Sequence, residues 1–209
     1  MDGIIVINKP KGITSREVVN KVCKLLNTKK VGHTGTLDPI ATGVLVLCVG
    51  KATKLVETLT SNDKEYVATV KLGILTDTLD TDGTIIEKKC VNLDKDKLVN
   101  VLNSFIGTYN QEVPIYSAVK VNGKKLYEYA RAKKEVTIPK RMVEIKKIKL
   151  IEFGSDYYKF KVTVSKGTYI RSLIKDINDK LGVIGVMSDL VRTKQGKFSI
   201  NNSYTLENM

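Results

Sequence analysis

The 209-residue sequence has no tryptophan, one histidine, three cysteines and four prolines. Cys23, Cys48 and Cys90 are isolated, with no Cys-x-x-Cys pair. With a single histidine beside them, a zinc site would have to be assembled from scattered groups, so no metal is expected. The scarcity of proline, with 15 glycines and plentiful Ile, Leu and Val, excludes collagen-like, mucin-like and disordered classes. The longest strongly apolar run is Val44–Val49, far short of the ~20 residues that cross a bilayer. Ile4–Ile7 follows Met1-Asp2-Gly3 with no basic segment ahead of it, so it reads as a buried strand and not a signal peptide. A cytoplasmic protein without a membrane segment is the expectation. Hydrophobic residues make up 42% of the chain, enough for a core that needs neither disulfide nor metal.

What the sequence has in excess is positive charge, +13 overall. It is uneven. Residues 1–119 carry 15 basic and 13 acidic side chains, a net +2, whereas residues 120–209 carry 20 and 9, a net +11. Lys124–Lys149 alone holds ten basic and three acidic groups. A one-sided field of this size attracts a polyanion and speeds its capture, which favours a nucleic-acid partner over a merely solvated surface. Thirty of the basic residues are lysines and five are arginines. In that background Arg16, Arg131, Arg141, Arg171 and Arg192 each become candidates for a planar, bidentate geometry that lysine does not supply.

Gly3–Asn8 reads as a first strand. Thr14 and Glu17 fit a capping box ahead of Val18, Val19, Val22, Leu25 and Leu26 at helical spacing, with a stop near Asn27. Gly32–Gly43 reads as a polar loop, Val44–Val49 as a buried strand and Ala52–Leu59 as helical. Lys64–Gly73 alternates as a half-buried strand, and Asp77–Gly83 is an acidic turn. Asp94–Ile106 is an amphipathic helix stopped by Gly107. Tyr116–Val121 is expected as a strand ending in the turn Asn122-Gly123, followed by a short helix over Lys124–Ala132. Met142–Phe153 and Tyr157–Ser165 read as paired strands, Ile170–Leu181 as a helix closed by Gly182, and Val183–Thr193 and Phe198–Ile200 as the last strands. Strands come in pairs as often as they alternate with helices. That pattern predicts an α+β fold with a mixed, mostly antiparallel sheet.

Three familiar chemistries fail on the residues. Gly43–Lys51 has neither the first glycine nor the Ser/Thr of a P-loop. Asp80-x-Asp82-Gly83 resembles the start of a calcium loop, but Lys89 stands where its bidentate glutamate belongs, so a plain turn is expected. His33 has no Gly-x-Ser-x-Gly nucleophile elbow to serve. Two segments remain. In Gly32–Gly43, Pro39 pushes Asp38 toward extended dihedrals and holds it on a stiffened loop beside a buried strand. The plainer alternative is a turn opened by Asp38, with His33 bonding a loop carbonyl. In Ser165–Arg171 a strand gives way to a helix whose first turn carries Arg171, where the dipole disfavours a cation. A partner carboxylate would explain it, and so would phosphate or solvent.

Taken together, Asn8–Ser15, Gly32–Gly43, Lys64–Gly73 with Thr76–Gly83, Pro114–Gly123 with Leu126–Arg131, and Lys166–Arg171 resemble, in order and spacing, the bacterial-type TruB family of tRNA pseudouridine synthases. The resemblance implies a pseudouridine synthase catalytic fold that isomerises the T-loop uridine (about position 55 by convention) to pseudouridine. It makes Asp38 the catalytic aspartate, Tyr66 the active-site tyrosine against the uracil, and Arg171 the partner of Asp38. It places His33 in the space the flipped base leaves, and makes Lys9, Tyr169 and the Lys124–Lys149 group pocket or phosphate contacts. Asp38, Tyr66 and Arg171 should meet in one basic cleft. No cofactor and no metal is implied. The partner is tRNA through its T-stem-loop, and a monomer is expected. Residues 1–209 are expected to form a single catalytic domain. Family members usually continue into a small C-terminal RNA-binding domain, and the chain stops after Thr205–Met209, so that domain is expected to be absent or truncated. A silent tRNA-binding or folding module and a synthase for another RNA are the alternatives.

Overall fold

The computed structural model describes residues 2–208; Met1 and Met209, at the two expected limits of the chain, lie outside the described residues. In chain order the elements are β1 (Gly3–Lys9), α1 (Ser15–Leu25), β2 (Val31–His33), β3 (Thr42–Val49), a 3₁₀ segment (Gly50–Leu55), α2 (Val56–Thr60), β4 (Lys64–Leu72), β5 (Ile74–Thr76) and β6 (Ile85–Lys88). They continue with α3 (Lys95–Asn103), β7 (Gly107–Glu112), β8 (Lys120–Val121), β9 (Lys124–Lys125), α4 (Leu126–Arg131), β10 (Lys140–Phe153), β11 (Tyr157–Val164), α5 (Ile170–Leu181), β12 (Gly185–Gln195) and β13 (Phe198–Ser199). This is an α+β fold on a mixed sheet, as the strand pattern predicts.

The chain forms two compact units. The first holds residues 2–67, Val162–Lys166 and residues 189–208. Its strands run in the order β1-β3-β12-β4-β11, with β2 also on β3. β3 pairs antiparallel with β1 from Gly3↔Val49 to Lys9↔Gly43, and parallel with β12 at Val191↔Thr42 and Arg192↔Gly43. Val44–Val49 is wholly buried, which explains an unbroken apolar run where a one-sided strand would alternate. Val18, Val19 and Val22 of α1 close one face of this unit over Ile7, Leu45 and Leu47. The capping box forms as expected: Thr14 accepts from the Glu17 amide at 3.1 Å, and Glu17 accepts from the Thr14 amide at 2.7 Å. The segment around Tyr204 runs along β1, Asn8 N–H donating to Tyr204 O at 2.8 Å and Tyr204 N–H to Val6 O at 2.9 Å. That covers an edge that would otherwise present unpaired backbone.

The second unit holds Ala68–Lys161 and Gly167–Ser188. Its sheet runs β12-β4-β11-β10-β7, and β7 and β10 are antiparallel from Lys140↔Glu112 to Ile145↔Gly107. Ile170, Leu173, Ile174, Ile177 and Leu181 form the buried stripe of α5, which ends at Gly182 in the left-handed conformation (φ 74°). Buried Tyr158 donates to Asn178 Oδ1 at 2.8 Å, and Asn178 Nδ2 donates to Gly185 O at 3.0 Å, so these two buried side chains satisfy each other and the start of β12.

Four readings change. Gly32–Gly43 is not loop throughout: Val31–His33 forms β2 on β3, and β3 already begins at Thr42. Ala52–Leu59 is split between the 3₁₀ segment and α2. Only Lys120–Val121 of the expected strand Tyr116–Val121 is extended. The carbonyls before it are taken by helix-proximal groups: Ser117 O accepts from Tyr127 N–H at 3.2 Å and Val119 O from Leu126 N–H at 2.8 Å. β7 and the β5–β6 hairpin went unread. The inward face of β7 is polar, with Gln111 wholly buried, so it shows no apolar alternation.

The capping box yields a stability prediction. Thr14→Ala should lower the unfolding free energy by about 1 kcal/mol in urea titration. A change below about 0.3 kcal/mol would show that α1 does not depend on its cap.

Candidate active site

Residues 34–41 of the first unit lie between β2 and β3, and Asp38 sits half-buried among them. Its neighbours are pinned on both sides. The Leu37 amide donates to Ser15 Oγ at 2.8 Å, and Ser15 Oγ donates back to Leu37 O at 3.1 Å. Ser15 lies inside α1, so the well-capped helix doubles as a clamp. On the other side Pro39 O accepts from Gly12 N–H at 2.8 Å and from Lys9 Nζ at 3.4 Å. Asp38 O itself accepts from Ala41 N–H at 3.0 Å. Leu37, Ile40 and Ala41 are buried. Asp38 is therefore a carboxylate on a loop with little freedom to drift. The turn reading also holds, since Asp38 does open the turn before β3.

Lys9, expected as a substrate contact, has no exposed surface. Its amine donates to Pro10 O (2.8 Å), Ile13 O (2.7 Å) and Pro39 O. Its place is inside the scaffold, tying the Pro10–Ile13 turn to the residue after Asp38. Burial pushes the Lys9 amine down to about 8, against the opposing pull of Asp38 and Glu17. His33 ends β2, and its Nδ1 accepts from Gly35 N–H at 3.4 Å. Burial, then Arg16 and Arg192, lower its pKa, so the ring stays neutral with its proton on Nε2. The bond differs from the expected one to a loop carbonyl: the ring accepts from a loop amide. Tyr66 lies on the inward face of β4 and is 6% exposed.

Arg171 and Tyr169 belong to the second unit. Arg171, in the first turn of α5, is buried. Nη1 donates to Thr78 O at 3.0 Å and Nη2 to Tyr116 O at 3.1 Å, while Nε lies 3.8 Å from Asp80 Oδ2. A carboxylate partner in this unit is thus Asp80, in the acidic turn. Asp80 Oδ1 accepts from Thr78 Oγ1 at 2.5 Å and from Asp82 N–H at 3.1 Å, so its oxygens organise the turn. Tyr169 is the N-cap of α5, and the Arg141 guanidinium lies 5.6 Å from its ring centroid. Buried Gln111 holds its backbone at both ends, Oε1 accepting from Tyr169 N–H at 2.8 Å and Nε2 donating to Tyr169 O at 3.1 Å.

Sequence reasoning missed Ser15 and Gly12 as loop clamps, Gln111 as a clamp on the start of α5, and Asp80 as a partner of Arg171. Arg192 was marked only by the rarity of arginine, a signal that proves sound: it is 1% exposed and bonds the loop. Among the described residues no group of three or more His, Cys, Asp or Glu could hold a metal ion, and no helix is long and apolar enough to cross a membrane.

Comparison with known proteins shows the family to which the chain belongs. Residues 23–170 match the family model of the TruB family pseudouridylate synthase N-terminal domain. The chain is 50% identical to tRNA pseudouridine synthase B of Bacillus subtilis, over all of this chain and 70% of that protein. It is 49% identical to tRNA pseudouridine synthase B of Fusobacterium nucleatum, over 96% of this chain and 70% of that protein. Among solved structures it resembles a chain of a Cbf5-Nop10-Gar1 complex, at 35% identity and a TM-score of 0.78 over 98% of this chain. There it spans about half (52%) of the matched chain.

The Lys9 amine carries a pH prediction. It loses its proton near pH 8 when folded and near 10.5 when unfolded. Between those values the unfolded chain holds more protons, so stability rises with pH. Lys64, also lowered to about 8, acts in the same direction, whereas the buried Cys48 thiol opposes the rise once pH passes 9.0. The unfolding free energy should therefore climb from about pH 8 to about pH 9, with a shallower slope in Lys9→Met. Equal slopes would mean that Lys9 does not titrate as its burial requires.

Proposed function

This chain belongs to the TruB family of pseudouridylate synthases and is a tRNA pseudouridine synthase, and we propose that its target is the T-loop uridine (position 55) with Asp38 as the catalytic carboxylate. The observation that carries the residue assignment is the pinning of Leu37 and Pro39 by Ser15, Gly12 and Lys9, which leaves the side chain between them aimed by its backbone. The reaction breaks the N1–C1′ bond of uridine, turns the base and rejoins it through C5. Nothing is oxidised and no water is consumed. A carboxylate serves such a sequence by attack on C1′, by addition to C6, or by removal of a sugar proton to give a glycal. In every version it must be ionised and water must be kept from C1′. Tyr66, nearly enclosed on β4, provides an aromatic wall for the extruded uracil, and base stacking of that kind contributes roughly 1–3 kcal/mol. The neutral His33 ring is suited to fill the stack the base vacates.

In this reading Arg171 is the guanidinium partner that orients the Asp38 carboxylate. Its Thr78 and Tyr116 carbonyl bonds hold its plane at two nitrogens. Tyr169 lies beside the sugar–phosphate, and the basic Lys124–Lys149 stretch draws in the T-stem-loop. Residues 1–209 act as one catalytic domain, monomeric and at work in the cytoplasm, where tRNA is matured.

An unmodified T-stem-loop RNA tritiated at uridine C5 reads the reaction, because forming the new bond releases that tritium. Asp38→Asn should abolish release while leaving RNA binding within about threefold, since a neutral isostere fails as a nucleophile or base. Retained release would remove Asp38 from the chemistry. Arg171→Lys should slow turnover on the order of a hundredfold despite its retained charge, because a point charge does not replace a planar fork. Near-normal turnover would count against the pairing.

A further inference from the structure

The end of β12 lies against the loop that carries Asp38, and its side chains point into that loop's backbone. Arg192, on β12 of the first unit, is buried and spends its guanidinium on three carbonyls: Nε donates to Val44 O at 2.6 Å, Nη2 to Gly35 O at 3.0 Å and Nη1 to Thr36 O at 3.5 Å. Two of these carbonyls precede Asp38 and one follows it, so a single rigid group spans the loop. Gln195, also buried, adds a second anchor. Its Nε2 donates to Thr34 Oγ1 at 2.6 Å, Thr34 O at 3.3 Å and Leu59 O at 3.1 Å. The strands are pressed together at this point. Gly43, opposite Arg192 in register, has φ +99°, and a Cβ there would sit 2.3 Å from Arg192 O.

A buried guanidinium is a costly way to satisfy carbonyls, and a neutral donor would suffice for packing alone. Two things distinguish arginine here. Its fork reaches three acceptors in one plane, which lysine does not do. Its charge is also felt across the site: burial is the main cause of the lowered pKa values of His33, Lys9 and Lys64, and the Arg192 charge adds to it at each.

We propose that Arg192, seconded by Gln195, is the positioning residue that fixes where Asp38 stands, by holding the carbonyls on both sides of it from the end of β12. This rests on Asp38 carrying the chemistry. Neither residue is a substrate contact in this account, so each should affect the reacting step and leave RNA capture alone. A misplacement of about 1 Å at a reacting group slows turnover on the order of a hundredfold.

The test uses the 209-residue chain and the tritiated T-stem-loop. Single-turnover rate, RNA Kd and hydrogen–deuterium exchange of the Thr34–Gly43 stretch are measured for wild type, Asp38→Asn, Arg192→Lys and Gln195→Met. Arg192→Lys should lower the rate about a hundredfold and Gln195→Met about tenfold. Kd should stay within threefold, and exchange should quicken in the loop but not in β1. Folded variants with a rate within threefold of wild type overturn the proposal. So does a rate loss matched by an equal rise in Kd, or a rate loss with loop exchange unchanged. Should Arg192→Lys lose its fold, Gln195→Met decides on the same three readings. A wild-type chain without turnover sinks the functional reading itself, and the positioning role falls with it. An active wild type with an inert Asp38→Asn isolates any failure to Arg192 and Gln195.

Discussion

In the proposed reading the Asp38 carboxylate acts while the N1–C1′ bond breaks and the C5–C1′ bond forms, and that role asks for a fixed backbone. In the first unit that backbone is fixed from three directions. Ser15, inside α1, takes both polar groups of Leu37. Gly12 and Lys9, in the turn after β1, take Pro39 O. Arg192 and Gln195, at the end of β12, take the carbonyls of residues 34, 35, 36 and 44. Loops are usually the mobile parts of a fold because their backbone groups bond to water. Here the loop's carbonyls bond to side chains rooted in a helix and in the sheet, so it inherits their rigidity.

Two of these groups, Lys9 and Arg192, are cations, and Lys64 is a third buried cation of the same unit. Lys9, Lys64 and Arg192 are all buried, and all point their donors at backbone oxygens. Burying three cations is unfavourable, and the depressed Lys9 and Lys64 amines, each about 8, show the strain it sets up. The compensation lies in what the site must hold. An anionic aspartate and an approaching phosphate chain both gain from a positive interior, whereas neutral donors would pin the loop but leave the field flat.

How much of this the sequence disclosed follows the range of the interactions involved. The Thr14–Glu17 box, the α5 stripe closed by Gly182 and the apolar Val44–Val49 run of β3 are written in neighbours a few residues apart, and they form where they are expected. β7 is not, because its inward side chains, Tyr109 and Gln111, are polar and answer to Asp176 and Tyr169 far along the chain. The Tyr116–Val119 segment has strand-like residues, but its carbonyls are claimed by α4 and by Arg171. For the site, Asp38 shows through the local stiffness of Asp-Pro between glycines, and Arg192 through the scarcity of its type. Ser15, Gly12 and Gln195 are common residues in ordinary positions. Only their partners, from 22 to 161 positions away for the two side chains, mark them out.

The start of α5 shows how the second unit handles a related difficulty. A cation in the first turn of a helix faces the positive end of the dipole and is disfavoured there. Arg171 occupies that place, and two features offset it. The Asp80 carboxylate lies 3.8 Å away, and the Thr78 and Tyr116 carbonyls take two further nitrogens. Gln111 meanwhile grips both backbone groups of Tyr169, the residue just before it. Gln111 Nε2 also donates to the Tyr109 hydroxyl at 2.7 Å, which in turn donates to Asp176 at 3.2 Å. That hydroxyl, with its pKa raised by burial and by Asp176, keeps its proton and so remains a donor. The bonds from Gln111 through Tyr109 to Asp176 thus run in one direction, and with the Gln111 grip on Tyr169 they fix the backbone from which Arg171 projects. An arginine that were merely surface charge would need none of this; one whose plane must not rotate needs all of it.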